Sequence, residues 1–199
     1  MNKEEIVKFA RENWVPVLRD KSADFLCKLV KEKNPKKILE IGTCIGYSGI
    51  IMLENTTNSF LVTIEKDKGK SEEAKQNFNQ AGFSDRVDVV NDDAFNHIKK
   101  LSSQNEKFDF VFLDGPKGQY INYLPYLKSL LNQDGLLVAD DIFYHGMVKE
   151  GYPKHKHRTI VFRLREFIDK ITTDPDFETV ILELEDGISV SCLKRGYKN

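Results

Sequence analysis

"ILEIGTCIGYSGI", residues 38–50, runs from an apolar stretch, Ile38–Ile41, through glycines at 42, 46 and 49 into apolar residues at helical spacing. A strand entering a helix through a glycine-rich turn is the opening unit of a doubly wound α/β fold. Glycine lets the backbone turn sharply there and approach a ligand closely. The pattern repeats along the chain. Phe60–Ile64, Val87–Val90, Phe108–Leu113 and Leu136–Ala139 read as strands. Ala23–Lys33, Ser48–Glu54, Ser71–Gln80, Ala94–Leu101 and Ile121–Leu131 read as helices. This alternation predicts an α/β domain with a mainly parallel sheet, and right-handed crossovers predict helices on both faces. After a helix-like Thr159–Ile171, the runs Phe177–Leu184 and Ile188–Leu193 flank Asp186-Gly187, a hairpin signal that predicts two antiparallel neighbours. One domain is expected over residues 1–199, with residues 1–20, including Trp14 and Pro16, as an accessory helix and loop.

Composition narrows the class. Hydrophobic residues make up 40% and charged residues 31%, as in an ordinary globular protein. The net charge of −1 gives no global attraction to nucleic acid or membrane, so any basic surface must be local. Cys27, Cys44 and Cys192 are far apart with no CxxC pair, which argues against a disulfide framework or zinc site. Cys27 and Cys192 fall in apolar patterns and read as core. The N-terminal MNKEEIVKFA has no apolar signal core, and no stretch approaches a membrane span. A reducing cytoplasm is the expected location.

The glycine spacing departs from a dinucleotide fingerprint, because Cys44 stands where that fingerprint has a glycine. A ligand without a pyrophosphate is favoured. Glu65 ends the second strand 19 residues after Gly46, where a carboxylate in this fold accepts hydrogen bonds from ribose hydroxyls. Glu40 is a carboxylate beside the loop, suited to a cation. A ribose and a cation without phosphate describe S-adenosylmethionine.

Glu40-Ile-Gly-Thr-Cys-Ile-Gly-Tyr-Ser48 resembles the first motif of class I methyltransferases, and more narrowly the metal-dependent O-methyltransferases of the catechol and caffeoyl-coenzyme A type. The resemblance covers about Ser22 to Lys194. It implies a Rossmann-like, seven-stranded sheet with the last strand antiparallel. It implies Gly42, Tyr47 and Ser48 against the methionine part of the cofactor and Glu65 on the ribose. Asp93-Ala94 in "VVNDDAF" resembles the adenine-side motif, with Asp92 replacing a glycine.

"FVFLDGPKGQY" (110–120) and "LLVADDIFYHG" (136–146) carry the resemblance further. Each is an apolar strand ending in aspartate, so Asp114 and Asp140 are expected together at the carboxyl edge of the sheet, with Asp141 following. Three converging carboxylates repel one another unless a cation neutralises them. Hard oxygen donors suit Mg²⁺, Ca²⁺ or Mn²⁺, with Mg²⁺ foremost. The family commonly has asparagine where Asp141 stands. Asp114 is assigned to the cofactor side as well as to the metal. Lys117, three residues on, matches the family's general base, and a neighbouring cation is expected to lower its pKa.

The segment from His145 to Arg165 is locally basic, with Lys149, Lys154, Lys156, Arg158, Arg163 and Arg165. A charge run is as often a solvated face as a phosphate site. "KGQY", "DDIFYHG", "RTIVFRLREF" and "DPDFETVILELEDGISVS" resemble the bacterial branch that methylates 5-hydroxyuridine at the tRNA wobble position. That resemblance implies a tRNA anticodon loop as partner, with Lys154, Lys156 and Arg158 on its phosphates. The alternative acceptor is a small catechol or hydroxycinnamoyl compound, and a non-catalytic nucleotide-binding module is a third reading. A homodimer is expected from family resemblance. The residues alone leave acceptor, metal and oligomeric state open.

Overall fold

Strand β1 (Lys37–Ile41) buries Ile38, Leu39, Glu40 and Ile41, the pattern of an interior parallel strand covered on both faces. In the computed structural model, which describes residues 3–151, 153 and 155–196, β1 lies in a seven-stranded sheet of order β3-β2-β1-β4-β5-β7-β6. The chain forms two compact units, residues 1–97 and 98–199.

In the first unit β2 (Phe60–Glu65) runs parallel to β1, with Ile41 opposite Ile64. Strand β3 (Val87–Asn91) runs parallel to β2, with Glu65 opposite Asn91. The helices are α1 (Lys3–Glu12), α2 (Asp20–Lys33), α3 (Tyr47–Glu54) and α4 (Lys68–Gln80). Every residue of α3 from Tyr47 to Leu53 is buried, because α1, α2 and β2 all pack on this short helix. Helix α1 contributes the fully buried Ile6 and Ala10. Helix α5 (Ala94–Ser103) carries the chain from the first unit into the second.

The second unit contains β4 (Phe108–Leu113), α6 (Tyr120–Leu130), β5 (Leu131–Ala139), α7 (Arg158–Thr173), β6 (Phe177–Leu182) and β7 (Ile188–Leu193). Strands β4 and β5 are parallel, whereas β7 is antiparallel to both β5 and β6. The seven-stranded fold with its antiparallel last strand is the one expected.

Among the boundaries that differ from the sequence reading, two have a clear physical reason. Leu131 belongs to β5, not to the preceding helix, and pairs with Phe108 before the register jumps to Phe110 opposite Leu136. The intervening residues include Asp134 at φ 60 and Gly135, where a Cβ would lie 2.7 Å from the Asn132 carbonyl oxygen. This interruption hid the start of the strand. The hairpin is also wider than a two-residue turn. Strand β6 stops at Leu182, and residues 183–187 make the connection: the Gly187 N–H closes a turn on the Leu184 carbonyl at 2.8 Å, while the carbonyls of Asp186 and Gly187 and the Asp186 carboxylate accept from residues 142–146. Cys27 and Cys192 are half-buried and not core, and all three cysteines are free thiols.

Candidate active site

In the first unit the glycine segment is held in left-handed backbone. Gly42, Cys44 and Gly46 have φ of 100°, 49° and 89°. The first two N–H groups of the segment, Gly42 and Thr43, donate to the Ile64 carbonyl at 3.1 and 3.3 Å. The third, Cys44, donates to Glu65 Oε2 at 2.9 Å, while the Asp67 N–H donates to Glu65 Oε1 at 2.9 Å. One backbone donor on each oxygen fixes the Glu65 carboxylate and leaves each oxygen further acceptor capacity. Asn77, buried in α4, donates to the Ile45 carbonyl at 2.9 Å. Gly49 has a different task. A Cβ there would lie 2.6 Å from Phe78 Cζ and 2.8 Å from Leu61 Cδ2, so only glycine lets α3 approach β2 and α4 this closely.

Glu40 is fully buried beneath the loop. Its oxygens accept from Ser48 Oγ at 2.5 Å and Thr63 Oγ1 at 2.6 Å, and Thr43 and Thr63 hydroxyls meet at 2.6 Å. The structure thus gives Glu40 a supporting role under the loop, where the sequence suggested a carboxylate facing a cationic ligand. Ser48 and Tyr47 are nearly buried at the start of α3. Asp93 caps α5, its Oδ1 accepting from the Phe95 N–H at 3.0 Å and the Asn96 N–H at 3.4 Å. Its Oδ2 pairs with Lys66 at 3.1 Å, the contact chiefly responsible for holding its carboxyl below the ordinary range. Ala94 is the first residue of α5.

In the second unit Asp114 follows β4, and Asp140 and Asp141 follow β5. Each of the three offers a carboxylate oxygen within 4.8 Å of the others. Asp140 is only 4% exposed. Burial, and then the negative charges of Asp114 and Asp141, push its carboxyl up to about 7. A buried carboxyl made reluctant to ionise by two like charges is the electrostatic situation a divalent cation relieves. The donor set is all oxygen, so the residues fit a hard cation.

Lys117 opens a short 3₁₀ turn after Pro116. Its Nζ donates to Asp114 Oδ1 at 2.6 Å, Tyr120 Oη at 2.9 Å and the Asp140 carbonyl at 3.2 Å, and lies 3.8 Å from Asp141 Oδ2. Burial favours the neutral amine, but Tyr120, Asp114 and Asp141 outweigh it and raise the lysine pKa. The expectation of a lowered value concerns a lysine beside a bound cation, and these carboxylates are the groups such a cation would neutralise. Tyr120 is the residue that sequence reasoning passed over. It is fully buried, and its hydroxyl donates to the carbonyl of Leu113 at 2.9 Å or that of Asp140 at 3.2 Å. Its spacing of three from Lys117 was the available signal.

The basic segment divides. Arg163 donates to the Gly118 carbonyl at 3.0 Å, and Arg165 donates to the Val148 carbonyl at 2.9 Å and to that of Glu150. Both guanidiniums therefore brace main-chain carbonyls. Lys149 pairs with Glu183 at 2.7 Å. Lys156 and Arg158 are exposed. Lys154 lies outside the described residues. The turn His155–His157 is tied to the loop after Asp141 by Tyr144 Oη and His157 Nδ1 at 3.1 Å.

The sequence profile of the O-methyltransferase family matches residues 3–195, nearly the whole chain, so the chain belongs to that family. Its class is S-adenosylmethionine-dependent O-methyl transfer. A caffeoyl-CoA O-methyltransferase of Populus kitakamiensis is 26% identical over 175 residues, covering 83% of this chain and 73% of the relative. A catechol O-methyltransferase of Niastella koreensis is 27% identical over 177 residues, covering 85% and 79%. The crystal structure of a Bacillus cereus O-methyltransferase in complex with SAH superposes with a TM-score of 0.86 at 24% identity, covering 96% of this chain and 90% of that one.

Proposed function

We propose that the protein is a metal-dependent O-methyltransferase whose acceptor is 5-hydroxyuridine at the tRNA wobble position, giving 5-methoxyuridine. The observation that carries the metal-dependent reading is the trio Asp114, Asp140 and Asp141, with oxygens within 4.8 Å, beside Lys117. When bound, S-adenosylmethionine supplies the methyl group and a divalent cation, Mg²⁺ foremost, supplies positive charge among the three carboxylates. Glu65 accepts hydrogen bonds from the ribose through oxygens already fixed by Cys44 and Asp67. Gly42, Tyr47 and Ser48 flank the methionine part, Asp93 and Ala94 the adenine. The acceptor hydroxyl surrenders its proton to Lys117 Nζ. Neutralising the carboxylates around Lys117 removes what holds its own proton and leaves burial to favour the neutral amine. The acceptor oxygen then bonds to the methyl carbon as the carbon–sulfur bond breaks.

The tRNA reading is supported by the exposed Lys156 and Arg158, next to a turn tied to the loop after Asp141. A 5-hydroxyl and the adjacent 4-carbonyl also form a vicinal oxygen pair, as in a catechol. An unstacked anticodon base is accessible to such a site. The second reading, a small catechol or caffeoyl-CoA-like acceptor, is favoured by the names of the Populus and Niastella relatives.

Methyl transfer from labelled S-adenosylmethionine to bulk tRNA of a strain lacking the enzyme, with a catechol control, separates the two. Neutralising Lys154, Lys156 and Arg158 together should raise the apparent KM for tRNA and flatten its salt dependence, since fewer counterions are released. Catechol turnover should hardly change. Absent tRNA methylation by the parent refutes the RNA reading, and so does a triple variant that equals the parent across salt concentrations.

A further inference from the structure

The antiparallel register of β5 and β7 ends with Ala139 opposite Ser189. The next contacts are the Ile142 N–H on the Gly187 carbonyl at 3.1 Å and the Phe143 N–H on the Asp186 carbonyl at 2.8 Å. Asp140 and Asp141 therefore stand on one side of the pair against the single residue Ile188 on the other. Strand β5 has already ended at Ala139, so both aspartates stand where the strand pair gives way to the following loop. This break carries two of the three clustered carboxylates.

The chain beyond this break is unusually left-handed. Asp141 has φ 54°, and Tyr144, His145 and Gly146 follow at 47°, 58° and 75°. Side chains disfavour this backbone, so something must hold it. The restraint is Asp186, only 7% exposed. Its Oδ2 accepts the His145 N–H at 2.5 Å and its Oδ1 the Gly146 N–H at 3.0 Å. Successive N–H groups converging on one carboxylate form a nest. Gly187, at φ 86°, completes the clamp: a Cβ there would lie 2.3 Å from the Phe143 ring.

We propose that Asp186 is a positioning residue for the acidic cluster. It locks the 141–146 loop, and through the loop it holds Asp140 and Asp141 within reach of Asp114. Both of its oxygens accept loop N–H groups, so its link to the cluster runs through the loop backbone. This inference rests on the metal-binding reading above and extends it to a residue on a separate hairpin. Orienting partners of this kind govern how tightly a site holds its ion.

The test is calorimetric titration of Mn²⁺ into the otherwise intact protein, with S-adenosylmethionine titrated in parallel. Asp186→Ala should weaken Mn²⁺ binding roughly 10- to 100-fold while S-adenosylmethionine affinity stays within about twofold. Asp186→Asn, which keeps the volume and one acceptor but turns an amide donor toward a backbone donor, should lie between. If the alanine variant does not fold, the asparagine variant carries the test. Unchanged Mn²⁺ affinity in a folded variant overturns the proposal. Equal losses of Mn²⁺ and S-adenosylmethionine affinity overturn it too, since they report general loosening. A parent protein that binds no Mn²⁺ refutes the metal reading and the inference together. A parent that binds, matched by a variant that binds equally, refutes the inference alone.

Discussion

Replacing Asp140 with asparagine should stabilise the metal-free protein while destroying its activity. The Asp140 carboxyl is pushed from 3.8 up to about 7, by burial first and then by Asp114 and Asp141. In the unfolded chain it releases its proton near 3.8; in the folded protein it keeps it to about 7. The folded state therefore binds the extra proton between these values, and metal-free protein loses stability as pH rises through that window. Roughly three units at about 1.4 kcal/mol each give ~4 kcal/mol of instability at pH 8. Asparagine keeps the shape without the charge, and the Lys117–Asp114 bond does not involve this side chain. Urea unfolding of chelator-treated parent and Asp140→Asn should then differ by about 4 kcal/mol at pH 8 and converge near pH 4. Saturating Mg²⁺ at 100 times its Kd should return ~2.7 kcal/mol to the parent and much less to the variant, which has lost a charged ligand. A stability difference that is the same at pH 4 and pH 8, or equal stabilisation of both proteins by Mg²⁺, would refute the electrostatic account.

Two further outcomes follow from the first unit. Glu65→Ala should weaken S-adenosylmethionine binding by about 1.5–3 kcal/mol in calorimetry, through lost charged hydrogen bonds and the freed Cys44 N–H; unchanged affinity would remove Glu65 from the ribose. Gly49→Ala should lower stability by roughly 1–3 kcal/mol, since its Cβ would meet Phe78 at 2.6 Å and Leu61 at 2.8 Å, and thermal unfolding reads this directly.

The alternation of strands and helices, the glycine loop, and the aspartates that follow β4 and β5 were legible in the residues alone. These follow from periodicity and from the local demands of a strand-to-helix turn, which are written in contiguous residues. What each polar side chain touches became visible only in the folded chain. Glu40 looked like a group facing a cation, yet it is fully buried, with Ser48 and Thr63 donating to its oxygens under the loop. Lys117 was legible as a lysine near a cation site, yet the packing of Asp114, Asp141 and Tyr120 around its ammonium was not. Arg163 and Arg165 counted toward a locally basic segment, yet both brace main-chain carbonyls. Asp186 looked like half of a hairpin turn, yet it holds a loop 40 residues earlier in the chain. The physical reason is one of range. Backbone preference and hydrophobic period act over a few residues and can be read in order, whereas hydrogen bonds and charge interactions depend on distances that only the folded chain sets.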